Sequence, residues 1–189
     1  MLIYWSSTMK ILKTTELNYD DLRALSLCKA KQEVRFYLMG VCIAEGFMAA
    51  TNGHLALIVD SEELIGFDLI IPAEPLDSLI KKLGRNPLIK TVQLHKMTEG
   101  FYLLECNGSY ELFKPVDGKF PDIKRIDIEE PTEVRFETYP YFNLDYLNVC
   151  RKIGQIYKTS PHFMPTSTEG VAYIKIKSNV HGLLMPMRS

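Results

Sequence analysis

Four histidines, four cysteines and 23 carboxylates are the groups in this chain that could hold a metal, attack carbon or move a proton. His54, His95, His162 and His181 are never spaced with cysteines or carboxylates as a metal set requires. Cys28, Cys42, Cys106 and Cys150 are scattered without a CxxC pair, each in an apolar context. They read as reduced, buried thiols of a cytoplasmic protein. No GxSxG, P-loop or HExxH motif is present. Asp117 and Asp122 flank a turn and form no carboxylate pair placed for acid–base work. His54, beside Asn52-Gly53, reads as a strand residue next to a turn. The residue types therefore point away from an enzyme, with no cofactor and no metal, and towards the chemistry of surfaces.

The bulk composition agrees. At 189 residues, 47% hydrophobic and 24% charged, the chain can build one or two domains with a sizeable core. A net charge of -1 counts against a tight nucleic-acid binder. No apolar run approaches the roughly 18 residues needed to span a bilayer. The N-terminal MLIYWSST is apolar but short, with no basic flank and no small-residue cleavage site, so it does not read as a signal peptide. Met9 reads as an alternative start, with residues 1–8 as an extension.

One phrase recurs three times. Glu45-Gly46 precedes Phe47 to Thr51, then Asn52-Gly53, then His54 to Val59. Glu99-Gly100 precedes Phe101 to Cys106, then Asn107-Gly108, then Ser109 to Lys114. Glu169-Gly170 precedes Val171 to Lys177, then Ser178-Asn179, then Val180 to Met185. Asn-Gly between apolar runs predicts a two-residue type I′ hairpin, because both central residues need φ > 0. The first unit adds a strand at Lys10 to Thr15 and a helix capped by Asn18, with Asp20 and Asp21 in its first turn. Lys29 and Lys31 suit its last turn, and Leu22, Leu25 and Cys28 its inner face. Glu33 to Ala44 follows as a strand kinked near Gly40. The second unit has a strand at Phe67 to Ile71, then a helix entered at Pro72 and closed by Gly84. Leu76, Leu79, Ile80 and Leu83 form its apolar stripe. Strands at Thr91 to Met97, Phe101 to Cys106 and Ser109 to Pro115 complete it. Asp117 to Pro131 has charges of both signs and no sustained period, which fits a connector. The third unit has a strand at Glu133 to Thr138 and a helix capped by Asn143. Leu147, Cys150 and Ile153 face inward from that helix, while Asn148, Arg151 and Lys152 face out. The fold class is α+β: three βαβββ repeats with helices on one face of antiparallel sheets. The other reading of these signals is a generic α+β domain whose turns happen to use Gly and Asn.

Six stretches in order carry a resemblance: RFYLMGV (35–41), ATNGHLAL (50–57), IIPAEPLDSLIKKL (70–83), DGKFPDIKR (117–125), FNLDYL (142–147) and LLMPMR (183–188). Together they resemble the β subunit of bacterial DNA polymerase III, the sliding clamp, in a shortened form. Residues 10 to about 125 are similar to its two-repeat middle domain and 133–188 to the second half of its last domain, which divides the chain into a two-repeat domain over 1–125, a connector over 126–132 and a half domain over 133–189. Where that family usually has Arg after the His of the TNGH turn, this chain has Leu55, and Ile128 stands at a connector position often occupied by Pro.

The resemblance implies a processivity factor that encircles double-stranded DNA without sequence preference. Three units per chain would close the family's ring as a tetramer; a dimer or monomer with the odd unit paired in trans is the other arrangement. The DNA-facing bases would be Arg23, Lys29, Lys31, Lys81, Lys82, Arg85, Arg151 and Lys152, although bases near helix C-termini are also expected from the dipole alone. It further implies a hydrophobic cleft for peptide motifs of a DNA polymerase and other partners, and a clamp loader. The walls would be Thr51, Gly53, His54 and Leu55 on one side, with Leu183, Met185, Pro186, Met187 and Arg188 on the other. Thioether side chains repack around varied apolar anchors; the plainer reading has Met185 and Met187 filling core. The truncation fits a gene of a virus or mobile element. The alternative function is an adaptor or decoy that keeps the cleft without a ring.

Overall fold

The computed structural model describes residues 9–132 and 140–187 of the chain. Asn18 ends strand β1 (Ile11–Asn18) and opens helix α1 (Tyr19–Cys28), because its Oδ1 accepts from the backbone N–H groups of Asp20 and Asp21 at 2.8 and 3.3 Å. Leu22, Leu25 and Cys28 are fully buried, as their spacing predicts. The helix is shorter than expected. It stops at Cys28, so Lys29 and Lys31 lie beyond its last turn. Lys29 instead reaches helix α2 (Ala73–Leu83), its Nζ 2.8 Å from the Asp77 carboxylate.

A second correction falls on Glu33 to Ala44. Phe36–Met39 coil into a turn of 3-10 helix, and only β2 (Val41–Ala44) is a strand. Gly40 stands between them, where a Cβ would come within 2.5 Å of the Ile71 carbonyl oxygen on the neighbouring strand. Hairpin strands β3 (Gly46–Thr51) and β4 (Leu55–Ser61) follow. The expected Phe67 to Ile71 strand narrows to β5 (Leu69–Ile71), with Phe67 buried just ahead of it. After α2 come β6 (Thr91–Met97), β7 (Tyr102–Cys106) and β8 (Ser109–Phe113). The connector holds one short helix, α3 (Ile123–Ile126). The last unit has α4 (Leu144–Tyr157), capped by Asn143, then β9 (His162–Pro165), β10 (Ala172–Lys177) and β11 (Val180–Leu184). Its expected opening strand at Glu133 to Thr138 lies outside the described residues.

Among the described residues all pairings are antiparallel, in two sheets ordered β1-β6-β7-β8 and β5-β2-β3-β4-β11-β10-β9. The first two units exchange their opening strands: β1 completes the second unit's sheet, and β5 the first unit's. The third unit joins through β11, which pairs with β4 from Leu184↔Leu55 to Val180↔Val59. Alternation along the seven-stranded sheet explains its unbroken apolar runs. Leu55, Leu57 and Val59 face the helices, whereas Ala56 and Ile58 face the connector, where Phe120 and Ile123 cover them. Both faces are dry, so both residue sets must be apolar.

The three long helices share one side. Tyr19 donates to the carbonyls of Ile80 and Gly84 at 3.2 and 2.6 Å, and Ser26 to Asp77 at 2.9 Å, locking α1 to α2. Across α1's other flank, the Tyr157 hydroxyl of α4 donates to the buried Asp21 carboxylate at 2.8 Å. Lys177 Nζ, from β10, lies 3.3 Å from the same oxygen.

Candidate functional site

The two Asn-Gly turns share a dipeptide but not a conformation. Asn107 and Gly108 both take positive φ (50° and 72°) between the paired Cys106 and Ser109, as a two-residue hairpin requires. At the first hairpin only Gly53 does, with φ 90°. The two strands pair with each other no further than Thr51↔Ala56, leaving four residues, Asn52 to Leu55, between the last paired positions, the last of them already in β4 through its pairing with Leu184. The side chains decide this. Asn52 Oδ1 accepts from the N–H groups of His54 and Leu55, both at 2.9 Å. Thr51 Oγ1 donates to the Leu55 carbonyl at 2.9 Å and accepts from Gly53 N–H at 3.0 Å. The expected type I′ turn is therefore replaced by a loop built on side-chain oxygens. His54 stands in that loop rather than in a strand, and its ring stacks on Tyr146 of α4 at 5.6 Å between centroids.

Beside this loop the chain end arrives. Met185 N–H donates to the His54 carbonyl at 2.9 Å, carrying the β4–β11 ladder one residue past its end. Between them opens a cleft of about 430 Å3 lined by Thr51, Gly53, His54, Leu55, Ala56, Leu183 and Met185. Ile126 of α3 and Glu169, Gly170 and Val171 of the β9–β10 loop supply the remaining wall. Met185 and Met187 are 44% and 55% exposed, so they do not serve as core filler. Pro186 and Met187 lie next along the chain but outside the lining, with Met187 N–H held 2.7 Å from the Tyr141 carbonyl. Arg188 lies outside the described residues.

Ile126 and Val171 were not foreseen. The connector has no periodicity that would seat Ile126. Its neighbour Asp127 is held by His181, whose Nε2 lies 2.8 Å from the Asp127 carboxylate while its ring stacks on Tyr173 at 5.1 Å. Thr166 and Ser167 fix the β9–β10 loop by hydrogen bonds to Val171 O and from Gly170 N–H.

On the helix side, Arg23, Arg85, Arg151 and Lys152 come together around one broad depression between α1, α2 and α4. Lys90 and Lys158 join them, giving six bases against the single acid Asp20. Such a patch carries a local positive potential in a nearly neutral chain. Arg23 bridges elements, donating to the Arg85 carbonyl at 2.8 Å. The other four predicted bases do not line this depression. Lys29 pairs with Asp77, Lys82 with Glu111 at 2.7 Å, and Lys31 and Lys81 are exposed elsewhere. Among the described residues no three His, Cys, Asp or Glu side chains converge as metal ligands would. Nor is any described helix long and apolar enough to cross a membrane.

No family model matches the chain, and no curated protein sequence does. Solved structures do. The Pseudomonas aeruginosa DNA polymerase sliding clamp, crystallised with a ligand, superposes with a TM-score of 0.70 at 17% identity, covering 93% of this chain and 66% of that one. DNA polymerase III subunit β from Borrelia burgdorferi, in complex with a natural product, gives 0.74 at 14% identity, covering 94% and 65%. The Caulobacter crescentus sliding clamp gives 0.69 at 17%, covering 100% and 68%. The chain thus spans about two thirds of these clamps' length. Over that length it has the fold of the bacterial DNA polymerase III β sliding clamp.

Proposed function

We propose that this chain is a shortened, clamp-like processivity factor that encircles duplex DNA as a homo-oligomer and tethers a polymerase or other partner through the apolar cleft. The observation that carries the reading is the apposition of the Thr51–Leu55 loop and Met185 across one cleft. An apolar cleft with few polar groups suits a short peptide with one or two apolar anchors. The basic depression lies on the helix side of the same sheets, where a ring of this fold would face DNA. Six clustered bases in a chain of net charge -1 favour loose, salt-dependent phosphate contact, which leaves a clamp free to slide. In this reading the chain catalyses nothing, works in the cytoplasm, and divides into a two-unit domain ending near residue 125, a connector, and a half domain from residue 133.

The test is retention on nicked circular DNA during gel filtration, with any loader the system needs. Clamp-like action predicts co-elution that is abolished when the circle is linearised. Absence of retention at every concentration would reject encirclement and leave the adaptor reading. Met185→Asp should then separate the two surfaces, losing partner capture while keeping retention on circles.

A further inference from the structure

The first two units show how a pair of such units buries its helices. α1 and α2 run antiparallel: Tyr19 at the start of α1 reaches the Ile80 and Gly84 carbonyls at the end of α2, while Ser26 and Lys29 at the far end of α1 meet Asp77. α4 opens on the same cap, Asn143 in place of Asn18. Counted from the caps, Leu22 and Leu25 correspond to Leu147 and Cys150, and Leu25 and Cys150 are both buried against the sheet. Tyr19 corresponds to Leu144. Here the two helices part: Tyr19 is 0% exposed and Leu144 is 78% exposed. The position that α1 devotes to a partner helix is bare on α4.

The receiving site is present too. Ile80 and Gly84 lie eight and twelve residues beyond the Pro72 cap of α2, and the same counts from Asn143 give Arg151 and Gln155. Both line a groove of about 770 Å3 along the C-terminal half of α4, floored by Leu147, Gly154, Pro161 and Phe163. Next to it, among the described residues, β9 ends its sheet, at the place where β5 closes the first unit by pairing with β2.

We infer that a second copy of this chain docks on this face, with the two α4 helices antiparallel and Leu144 of each copy seated in the other's groove. The contact is isologous, the same patch serving on both copies. Its charges match: antiparallel helices bring Asp145, beside Leu144, to the groove's Arg151 and Lys158, the two bases shared with the edge of the basic depression. The inference deepens the homo-oligomer part of the clamp-like reading and rests on the repeat, not on DNA.

Analytical ultracentrifugation of the full chain should show concentration-dependent self-association. Leu144→Asp should raise the dissociation constant at least about tenfold, as expected for removing the apolar anchor and desolvating a carboxylate at a contact centre. Because Leu144 is exposed in the single chain, circular dichroism should not change, nor should the thermal midpoint at concentrations where the wild type is monomeric. A Leu144→Cys/Gln155→Cys variant should form interchain disulfides under mild oxidation, the native thiols being buried. A wild-type monomer, or association untouched by Leu144→Asp, overturns the inference. The arms separate it from the functional reading: dimers that are never retained on circles would sink encirclement alone, whereas retention with an unaffected Leu144→Asp oligomer would sink this interface alone.

Discussion

Removing the Tyr157 hydroxyl should cost this fold more than removing the Lys177 charge, although both groups bond the same carboxylate oxygen. Asp21 is 5% exposed, so its charge depends on protein partners. Tyr157 donates to it at 2.8 Å; Lys177 lies at 3.3 Å with a side chain 37% exposed. A buried hydrogen bond to a charged group is worth about 1.5–3 kcal/mol, which sets the expected cost of Tyr157→Phe. A half-exposed ammonium is screened by water and salt, so Lys177→Met should cost about 0–1 kcal/mol. Phe keeps the ring over which Lys177 sits at 4.6 Å, so the first variant tests the hydroxyl alone. Urea unfolding at pH 7 reads both, provided the slopes agree. The pH dependence supplies an independent arm. Burial, and then the Asp21 charge, push the Tyr157 phenol well above its ordinary range. The folded chain therefore favours the neutral phenol, whose contribution is complete below the free phenol's pKa of about 10 and declines as pH rises past it. Tyr157→Phe should flatten the stability profile above that pH. A Lys177→Met cost exceeding that of Tyr157→Phe, or identical alkaline profiles, would refute the reasoning.

Other outcomes follow from single contacts. Burial pushes the Cys42 thiol up to about 12 and Cys150 to about 11, so a thiolate-selective reagent at pH 8 should label neither until the chain unfolds; rapid native labelling would contradict their burial. Gly40→Ala places a methyl against Ile70 and the Ile71 carbonyl and should destabilise by about 1–3 kcal/mol, an unchanged urea midpoint being the contrary result. Asn52→Ala removes the acceptor for two loop N–H groups and should cost about 1 kcal/mol or more. The same variant should weaken peptide capture at the cleft, and intact capture would show that the loop's shape is immaterial there.

The helices were legible because their signals are local. Asn18 and Asn143 cap where their side chains can reach two residues on, and Leu76 and Leu79 fall at the spacing that one buried face demands. Strands β6 and β8 kept nearly their expected bounds for a similar reason. What escaped depends on partners distant in sequence. The Glu33 to Ala44 run looks extended, but the approach of Ile71 at Gly40 determines where extension can begin. The Asn52 loop shares its dipeptide with the Asn107 turn, and differs because Thr51 and Asn52 both turn their oxygens inward. Six of the eleven cleft-lining residues came from the resemblance. Ile126 and Val171 needed the folded connector and the β9–β10 loop, which carry no period to read. The bases of α1 and α4 were identified singly, yet only the packing of three helices shows that Arg23, Arg85, Arg151 and Lys152 share a depression, with Arg23 paired to Asp20 inside it, while Lys29 and Lys82 pair with acids outside it.

The pairing of β4 with β11 places the two cleft walls on opposite sides of one junction, since Thr51 to Leu55 belongs to the first unit and Leu183 to Met185 to the third. Any occupant that touches both walls acts as a splint. Its binding free energy adds to that of the five-residue ladder, so peeling the third unit away becomes harder in proportion to how tightly the occupant is held. Pulling the two halves apart mechanically would, by the same reciprocity, eject whatever the cleft contains.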